Sequence, residues 1–168
     1  MADLVAYVDG GSLGNPGHAG VGVVIEGCEQ GRITIGKWIG QQDNNVAEYL
    51  ALLEALQCAV ALKASKLHVY SDSEVVVRQM IGHYRCRSTR LYSLNWLCRK
   101  LARTLEFFIS HIRRELNSEA NRLASTAART RSPKPSFVKN SVLPPAGRTP
   151  KSCLDDSVQT GIESVFNL

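Results

Sequence analysis

The sequence lacks any long hydrophobic run. No apolar stretch among its 168 residues approaches the roughly 20 residues that a membrane-spanning helix needs, and its first residues lack the pattern of a signal peptide. We therefore expect a cytoplasmic protein without a membrane partner. The length fits one ordinary domain with an appendage and is enough to bury a substantial core.

Cysteines are few and irregularly spaced. The five cysteines are odd in number and include no C-x-x-C pair, whereas disulfide frameworks and zinc sites use even or closely paired sets. A reduced, intracellular protein without a structural metal is expected. Aromatic residues make up only 7% of the chain, and we expect Trp38 and Trp96 to be core or partly covered residues rather than a stacking platform.

Two common nucleotide-binding motifs are also absent. The sequence contains no G-x-x-x-x-G-K-[ST], and its glycines do not fall in the G-x-G-x-x-G pattern before a helix. The net charge of +5 is compatible with a polyanionic partner but does not identify one.

The sequence does contain a short buried strand that ends on an acid. Residues 4–8 form a nearly continuous apolar run, which is followed by Asp9 and then by a predicted glycine-rich loop with Asn-Pro-Gly up to Gly17. A carboxylate in this place lies where open α/β sheets usually bind ligands, and Gly10 and Gly11 would let a ligand approach the backbone. The alternative is that Asp9 only opens a turn, because Asp-Gly is a common turn dipeptide.

Hydrophobic periodicity predicts an α/β protein. Further strands are predicted over residues 20–27, 32–39, 66–72 and 105–112, and helices over residues 44–60, 73–81, 91–104 and 117–129. The first three strands would form an antiparallel meander. In the first long helix, Asn44 and Asn45 would serve as N-caps and Glu48 would lie in the first turn. The order βββαβα(α)βα predicts a five-stranded mixed sheet with helices packed on its faces.

The composition changes near residue 131. Prolines alternate with Ser, Lys and Gly, which is typical of a linker or extended arm, so residues 130–168 are predicted to be a C-terminal extension. Apolar residues in the last stretch, residues 153–168, recur at close to helical spacing. This stretch is either a segment that docks on the domain or on a partner, or a frayed terminus, and we favour docking.

Three acids stand in equivalent places. Asp9 and Asp72 are each predicted at the end of a strand, and Glu48 in the first turn of a helix. Each acid alone is more often a cap or a solvated charge, but the residues around them form ordered motifs. These are Tyr-Val-Asp-Gly-Gly at 7–11, Asn-Asn-Val-Ala-Glu-Tyr at 44–49, Tyr-Ser-Asp-Ser at 70–73 and Arg-Glu-Leu-Asn-Ser-Glu-Ala-Asn-Arg-Leu-Ala at 114–124.

With these motifs the sequence resembles type 1 ribonuclease H, in the compact subgroup that lacks the basic protrusion. The resemblance covers roughly residues 1–129, which would form the catalytic domain with a ribonuclease H-like fold. It implies endonucleolytic hydrolysis of the RNA strand of RNA/DNA hybrids, leaving 5′-phosphate and 3′-hydroxyl ends. We expect a monomer.

The chemistry of that reaction explains why acids are needed. Two Mg²⁺ ions about 4 Å apart can position the attacking water and stabilise the leaving oxygen, and such hard cations require oxygen ligands. The resemblance implies that Asp9 bridges both ions and that Glu48 and Asp72 hold one. A fourth acid would help hold the ion that positions the water. Mn²⁺ is the expected substitute metal.

The sequence departs from the family at the fourth acid, where it has Asn121. Either an engineered Asp→Asn change traps a substrate complex, or a natural variant uses the amide oxygen as a neutral ligand. We favour the natural variant, with reduced but metal-dependent activity, because amide oxygens do coordinate hard cations. The other readings are a catalytically disabled protein that still binds hybrids, and an integrase or junction resolvase on the same fold. The pair Asn44-Asn45 argues against the last of these.

The resemblance also implies substrate contacts. Backbone and 2′-hydroxyl contacts of the hybrid fall on Asn15, Asn44, Asn45 and Ser73, with Gly10 and Gly11 beside them. Arg85, Arg87 and Arg90 would contact phosphates of the DNA strand, and their alternative is a solvated basic face. The family's loop histidine for product release has only His111 and Glu115 as candidate counterparts.

Overall fold

The computed structural model describes residues 2–29 and 31–131. Within them the strands are β1 (Asp3–Gly14), β2 (Gly17–Glu26), β3 (Ile33–Gln42), β4 (Lys66–Ser71) and β5 (Glu106–His111). The helices are α1 (Asn44–Ala61), α2 (Glu74–Met80), α3 (Thr89–Ala102) and α4 (Ser118–Thr130), with a 3₁₀ turn at Arg114–Asn117 before α4. None of these helices is long and apolar enough to cross a membrane.

The five strands form one mixed sheet in the order β3-β2-β1-β4-β5. The pairs β1/β2 and β2/β3 are antiparallel, and the pairs β1/β4 and β4/β5 are parallel. This confirms the predicted meander and the predicted element order. The parallel register of β1 and β4 ends at Val8 opposite Ser71, so the next residues, Asp9 and Asp72, leave the register together at the same edge.

Helices cover the sheet on both faces. Alternate side chains of β1 are buried in the main core. Most residues of α1 are buried there too, and most of these are small or apolar. On the opposite face, α4 packs across β2 at very short range. A Cβ atom on Gly22 would lie 2.0 Å from the Ala120 carbonyl oxygen, and one on Gly20 would lie 2.3 Å from the Ala124 carbonyl oxygen. These two glycines therefore set the depth at which α4 lies on the sheet.

The first strand is longer than predicted. β1 continues past Asp9 to Gly14, because its second half forms a hairpin with β2, in which Gly10 pairs with Val21 and Gly14 with Gly17. The prediction that a loop begins directly after Asp9 is therefore wrong. Neither Gly10 nor Gly11 has a positive φ. Asp9 lies within a strand, where the parallel partner stops and the antiparallel partner goes on.

The start of α1 also differs from the prediction. The N-cap is Asp43, whose Oδ1 accepts a hydrogen bond from the Val46 backbone N–H at 2.8 Å. Asn44 and Asn45 are the first two helical residues, so Glu48 lies in the second turn rather than the first.

Trp96 is exposed, contrary to expectation. Its side chain on α3 is 54% accessible, and the Lys100 Nζ lies 5.0 Å from the centre of its ring. Trp38 is partly covered, as predicted. Residues 132–168 of the predicted extension, including the stretch expected to dock, lie outside the described residues.

Candidate active site

Three carboxylates from three separate elements meet at the edge of the sheet. Asp9 comes from β1, Glu48 from α1 and Asp72 from the residue after β4, and one oxygen of each lies within 4.8 Å of the others. Asp9 and Glu48 are buried and Asp72 is half-buried. The fold thus brings together the three acids singled out in the sequence.

Glu48 is held by the backbone of β1. The Gly10 N–H donates to Glu48 Oε2 at 3.2 Å. A Cβ atom on Gly10 would lie 2.1 Å from the Ala47 carbonyl carbon, whereas one on Gly11 would meet nothing within 4 Å. Gly10 is therefore required by the close approach of β1 to α1, which brings Glu48 beside Asp9.

The pKa values of Asp9 and Glu48 are both raised. Burial, followed by the charge of Asp72, raises the pKa of Asp9 to about 7. Burial and the charges of Asp9 and Asp72 raise the pKa of Glu48 well above its usual value. Arg114, in the 3₁₀ turn, partly opposes both pKa shifts. Buried carboxylates that repel one another in this way are the oxygen donor set that hard divalent cations bind, so these residues fit a Mg²⁺ or Mn²⁺ centre.

The amino-terminal end of α4 adds two amides to the acids. Asn121 Nδ2 donates to Asp9 Oδ2 at 3.0 Å. Asn117, which precedes α4, donates from Nδ2 to Asp72 Oδ1 at 3.1 Å and to the Val8 carbonyl oxygen at 2.8 Å. The structure therefore places Asn121 in contact with Asp9, and its role as a metal ligand stays a prediction.

Several predicted substrate-binding residues lie on the rim. The Asn15 Oδ1 accepts a hydrogen bond from the Asn44 backbone N–H at 3.2 Å, which ties the β1–β2 turn to the start of α1. Asn45 is exposed in the first turn of α1. Ser73 caps α2, because its Oγ accepts from the Val76 N–H.

The basic and product-release candidates are exposed. Arg85 and Arg87 lie in the connection between α2 and α3, and Arg90 forms an ion pair with Asp43 at 3.2 Å. His111 ends β5 and Glu115 lies in the 3₁₀ turn.

Sequence reasoning gave no role to Arg114 or Asn117. Both stand in the fourth motif, so the motif itself was the available indication. The contacts of Asn117, however, depend on Val8 and Asp72, which lie 109 and 45 positions earlier in the chain.

Comparison with known proteins agrees with this site. Residues 7–127 match the family model described as reverse transcriptase-like. The RNase H domain of Rv2228c from Mycobacterium tuberculosis matches with a TM-score of 0.73 and 34% identity, covering 77% of this chain and 96% of that chain. RNase H1 from Halobacterium salinarum matches with a TM-score of 0.71 and 32% identity, covering 77% and 99%. The chain belongs to the ribonuclease H family.

Curated relatives of this ribonuclease H are longer than the matched region. The bifunctional protein Rv2228c is 36% identical over 129 residues, which are 74% of this chain and 35% of the relative. Ribonuclease HI of Halobacterium salinarum is 35% identical over 124 residues, which are 73% of this chain and 62% of the relative. The chain thus spans less than two thirds of the length of these relatives. A further solved neighbour, LC11-RNase H1, has a TM-score of 0.70 and 32% identity, covering 77% of this chain and 99% of its own, and was determined in complex with an RNA/DNA hybrid.

Proposed function

We propose that this protein is an endonuclease that hydrolyses the RNA strand of RNA/DNA hybrids and leaves 5′-phosphate and 3′-hydroxyl ends. The observation that carries the proposal is the convergence of Asp9, Glu48 and Asp72 within 4.8 Å, from three elements of a ribonuclease H fold. The hybrid bound to LC11-RNase H1 supports the choice of substrate.

Two divalent cations, Mg²⁺ or Mn²⁺, would be held by Asp9, Glu48, Asp72 and Asn121. When bound, the ions supply Lewis acidity to the phosphodiester and to the attacking water. Asp9 is the central ligand, since it lies between Asp72 and Asn121 and contacts Asn121 directly. Gly10 fixes the carboxylate of Glu48 through its N–H.

Asn121 must present its oxygen to serve as a ligand. In the structure its Nδ2 donates to Asp9, because the ionised carboxylate of Asp9 can accept a hydrogen bond but cannot donate one. Rotation of the amide by half a turn exchanges its oxygen and nitrogen, and a cation beside Asp9 favours the oxygen-inward orientation. A neutral ligand contributes less charge than an Asp, so activity should be reduced but metal-dependent.

Hybrid recognition is assigned to the rim of the site. Asn15, Asn44, Asn45 and Ser73 would contact the sugar-phosphate backbone and the 2′-hydroxyls, which distinguish RNA from DNA. Gly11, which faces open space, is the glycine at which a backbone could approach, with Gly10 engaged by Glu48. The exposed Arg85 and Arg87 would contribute salt-sensitive phosphate contacts.

The proposal is tested by cleavage of a labelled RNA/DNA hybrid in Mg²⁺ and in Mn²⁺, with Asn121→Asp in parallel. Cleavage by the unmodified protein, increased in Asn121→Asp, is the expected result. The second candidate function is hybrid binding without cleavage, favoured by the Asn121 amide at the fourth ligand position. Cleavage by Asn121→Asp alone would establish that function, and cleavage by neither protein would overturn the nuclease assignment.

We also propose that the protein acts as a monomer, with residues 130–168 as an extension outside the catalytic domain. The mass of the protein in solution, measured by light scattering with and without a hybrid, tests the monomer.

A further inference from the structure

Asn117 is a buried amide that joins two parts of the acid cluster. Its side chain is 2% exposed, directly before α4. Its Nδ2 donates to the Val8 carbonyl oxygen at 2.8 Å and to Asp72 Oδ1 at 3.1 Å. Val8 immediately precedes Asp9, so one amide group connects the backbone beside one proposed ligand to the carboxylate of another.

The orientation of this amide is dictated by its two partners. A carbonyl oxygen and a carboxylate oxygen are both acceptors, so a rotated amide would place an oxygen against two oxygens. In the orientation present, Asn117 Oδ1 is buried without a hydrogen-bond partner among the described residues. An unpaired buried oxygen is unfavourable. Here it accompanies two hydrogen bonds that the Asn117 Nδ2 donates, one to Val8 and one to Asp72.

The two asparagines at the amino-terminal end of α4, Asn117 just before the helix and Asn121 within it, differ in what they can do. Asn121 is half-buried, and its Nδ2 donates a hydrogen bond to Asp9 Oδ2. The amide of Asn117 is fixed at two points, one of them backbone. A side chain fixed in this way is better suited to orient a metal ligand than to bind a metal itself.

We propose that Asn117 is a positioning residue that holds the Asp72 carboxylate at a fixed distance from the backbone of β1 at Val8, so that Asp72 and Asp9 bind the cations together. This inference rests on the proposed function. Hydrogen bonds of this kind orient the carboxylates that ligate metals, and their loss typically costs about 10–100-fold in metal affinity or activity.

The experiment compares Asn117→Ala and Asn117→Ser with the unmodified protein. Ser keeps one donor but is too short to reach both acceptors, and it serves if the Ala protein does not fold. The matched control is Glu119→Gln, which removes another contact that anchors the start of α4, the ion pair with Arg32. Three quantities are measured: Mn²⁺ affinity by calorimetry without nucleic acid, hybrid affinity in EDTA, and the single-turnover cleavage rate.

We expect both Asn117 variants to bind Mn²⁺ at least about 10-fold more weakly and to cut about 10–100-fold more slowly. Hybrid affinity in EDTA should stay unchanged, and Glu119→Gln should match the unmodified protein in all three measurements. In an Asp72→Asn background, Asn117→Ser should cause no further loss of Mn²⁺ affinity.

Unchanged Mn²⁺ affinity in the Asn117 variants would overturn the positioning role while leaving the nuclease proposal intact. Equal losses in Glu119→Gln would also overturn it, because they would show that anchoring of α4 is what matters. If the unmodified protein binds Mn²⁺ but cuts no hybrid, the nuclease proposal fails, and the Mn²⁺ measurements still decide the role of Asn117. If it binds no Mn²⁺, both proposals fail.

Discussion

Gly10 and Gly11 are neighbours in β1 with opposite surroundings. A side chain at Gly10 would collide with the backbone of Ala47, whereas a side chain at Gly11 would enter open space. The collision would be between a Cβ atom, whose position is fixed by the backbone of β1, and main-chain atoms of α1, so only a shift of α1 against β1 can relieve it. Because Glu48 follows Ala47, such a shift moves a proposed ligand away from Asp9.

We therefore predict that Gly10→Ala lowers the free energy of unfolding by about 3 kcal/mol and weakens Mn²⁺ binding. Gly11→Ala is the matched control and should change the stability by less than about 1 kcal/mol. Denaturant unfolding and calorimetry measure the two effects. Equal stabilities of the two variants would show that the contact between β1 and α1 is looser than described.

At the scale of a helix, the cap of α1 is the contact that fixes where the Glu48 helix starts. Asp43 has two partners, the Val46 N–H through Oδ1 and the largely exposed Arg90 through Oδ2. The first is a capping hydrogen bond that the helix needs, and the second is a surface ion pair of small value.

Asp43→Ala should therefore cost about 1 kcal/mol of stability. Arg90→Ala should cost less than about 0.5 kcal/mol, and Asp43→Asn should retain most of the cap. Thermal or urea unfolding of the three variants separates the contributions. A loss in Arg90→Ala as large as in Asp43→Ala would assign the stabilisation to the ion pair instead.

The differences between sequence and structure also lie at this scale. Periodicity located every strand and helix within the described residues, and the motifs located the three acids, because both are local patterns. Periodicity ended β1 too early since glycines are unfavourable in strands, while the hairpin with β2 extends the strand across them. The supporting contact of Asn117 depends on residues distant in the chain, and no local pattern encodes it.

At the scale of the whole molecule, the acid cluster makes stability depend on pH and metal. Burial and the charges of neighbouring carboxylates raise the pKa of Asp9 to about 7 and raise the pKa of Glu48 well above its usual value. Groups with raised pKa values bind protons more tightly in the folded protein than in the unfolded chain. The stability they confer is complete below pH 4 and is lost as pH rises through the folded pKa.

In EDTA, the contribution of these acids to the free energy of unfolding should therefore fall by about 2 kcal/mol between pH 5 and pH 8. Saturating Mg²⁺ should reverse the loss at pH 8, because the cation replaces the protons. Asp9→Asn should flatten the pH dependence and raise stability in EDTA at pH 8. A pH profile identical in Asp9→Asn would exclude Asp9 as its source. Urea unfolding at the two pH values provides the measurement.

The proposed boundary of the catalytic domain gives a prediction of its own. Removal of residues 132–168 should leave the rate of hybrid cleavage unchanged, because all four proposed metal ligands lie within the described residues. Cleavage assays and thermal unfolding of the shortened protein provide the test. A lost cleavage rate would place part of the catalytic machinery in the extension, and a lower melting temperature alone would indicate that the extension docks on the domain.

The contacts between the start of α4 and β1 join residues that are far apart in the sequence, and this affects when the site can form during folding. The hydrogen bonds from Asn117 to Val8 and from Asn121 to Asp9 join residues 109 and 112 positions apart. Contacts of such separation form late in folding, because the closure of a long loop must precede them. During synthesis, β1 leaves the ribosome before α4, so the proposed metal site would stay incomplete until α4 has followed. The proposed nuclease would therefore acquire its activity only when nearly the whole domain has been made.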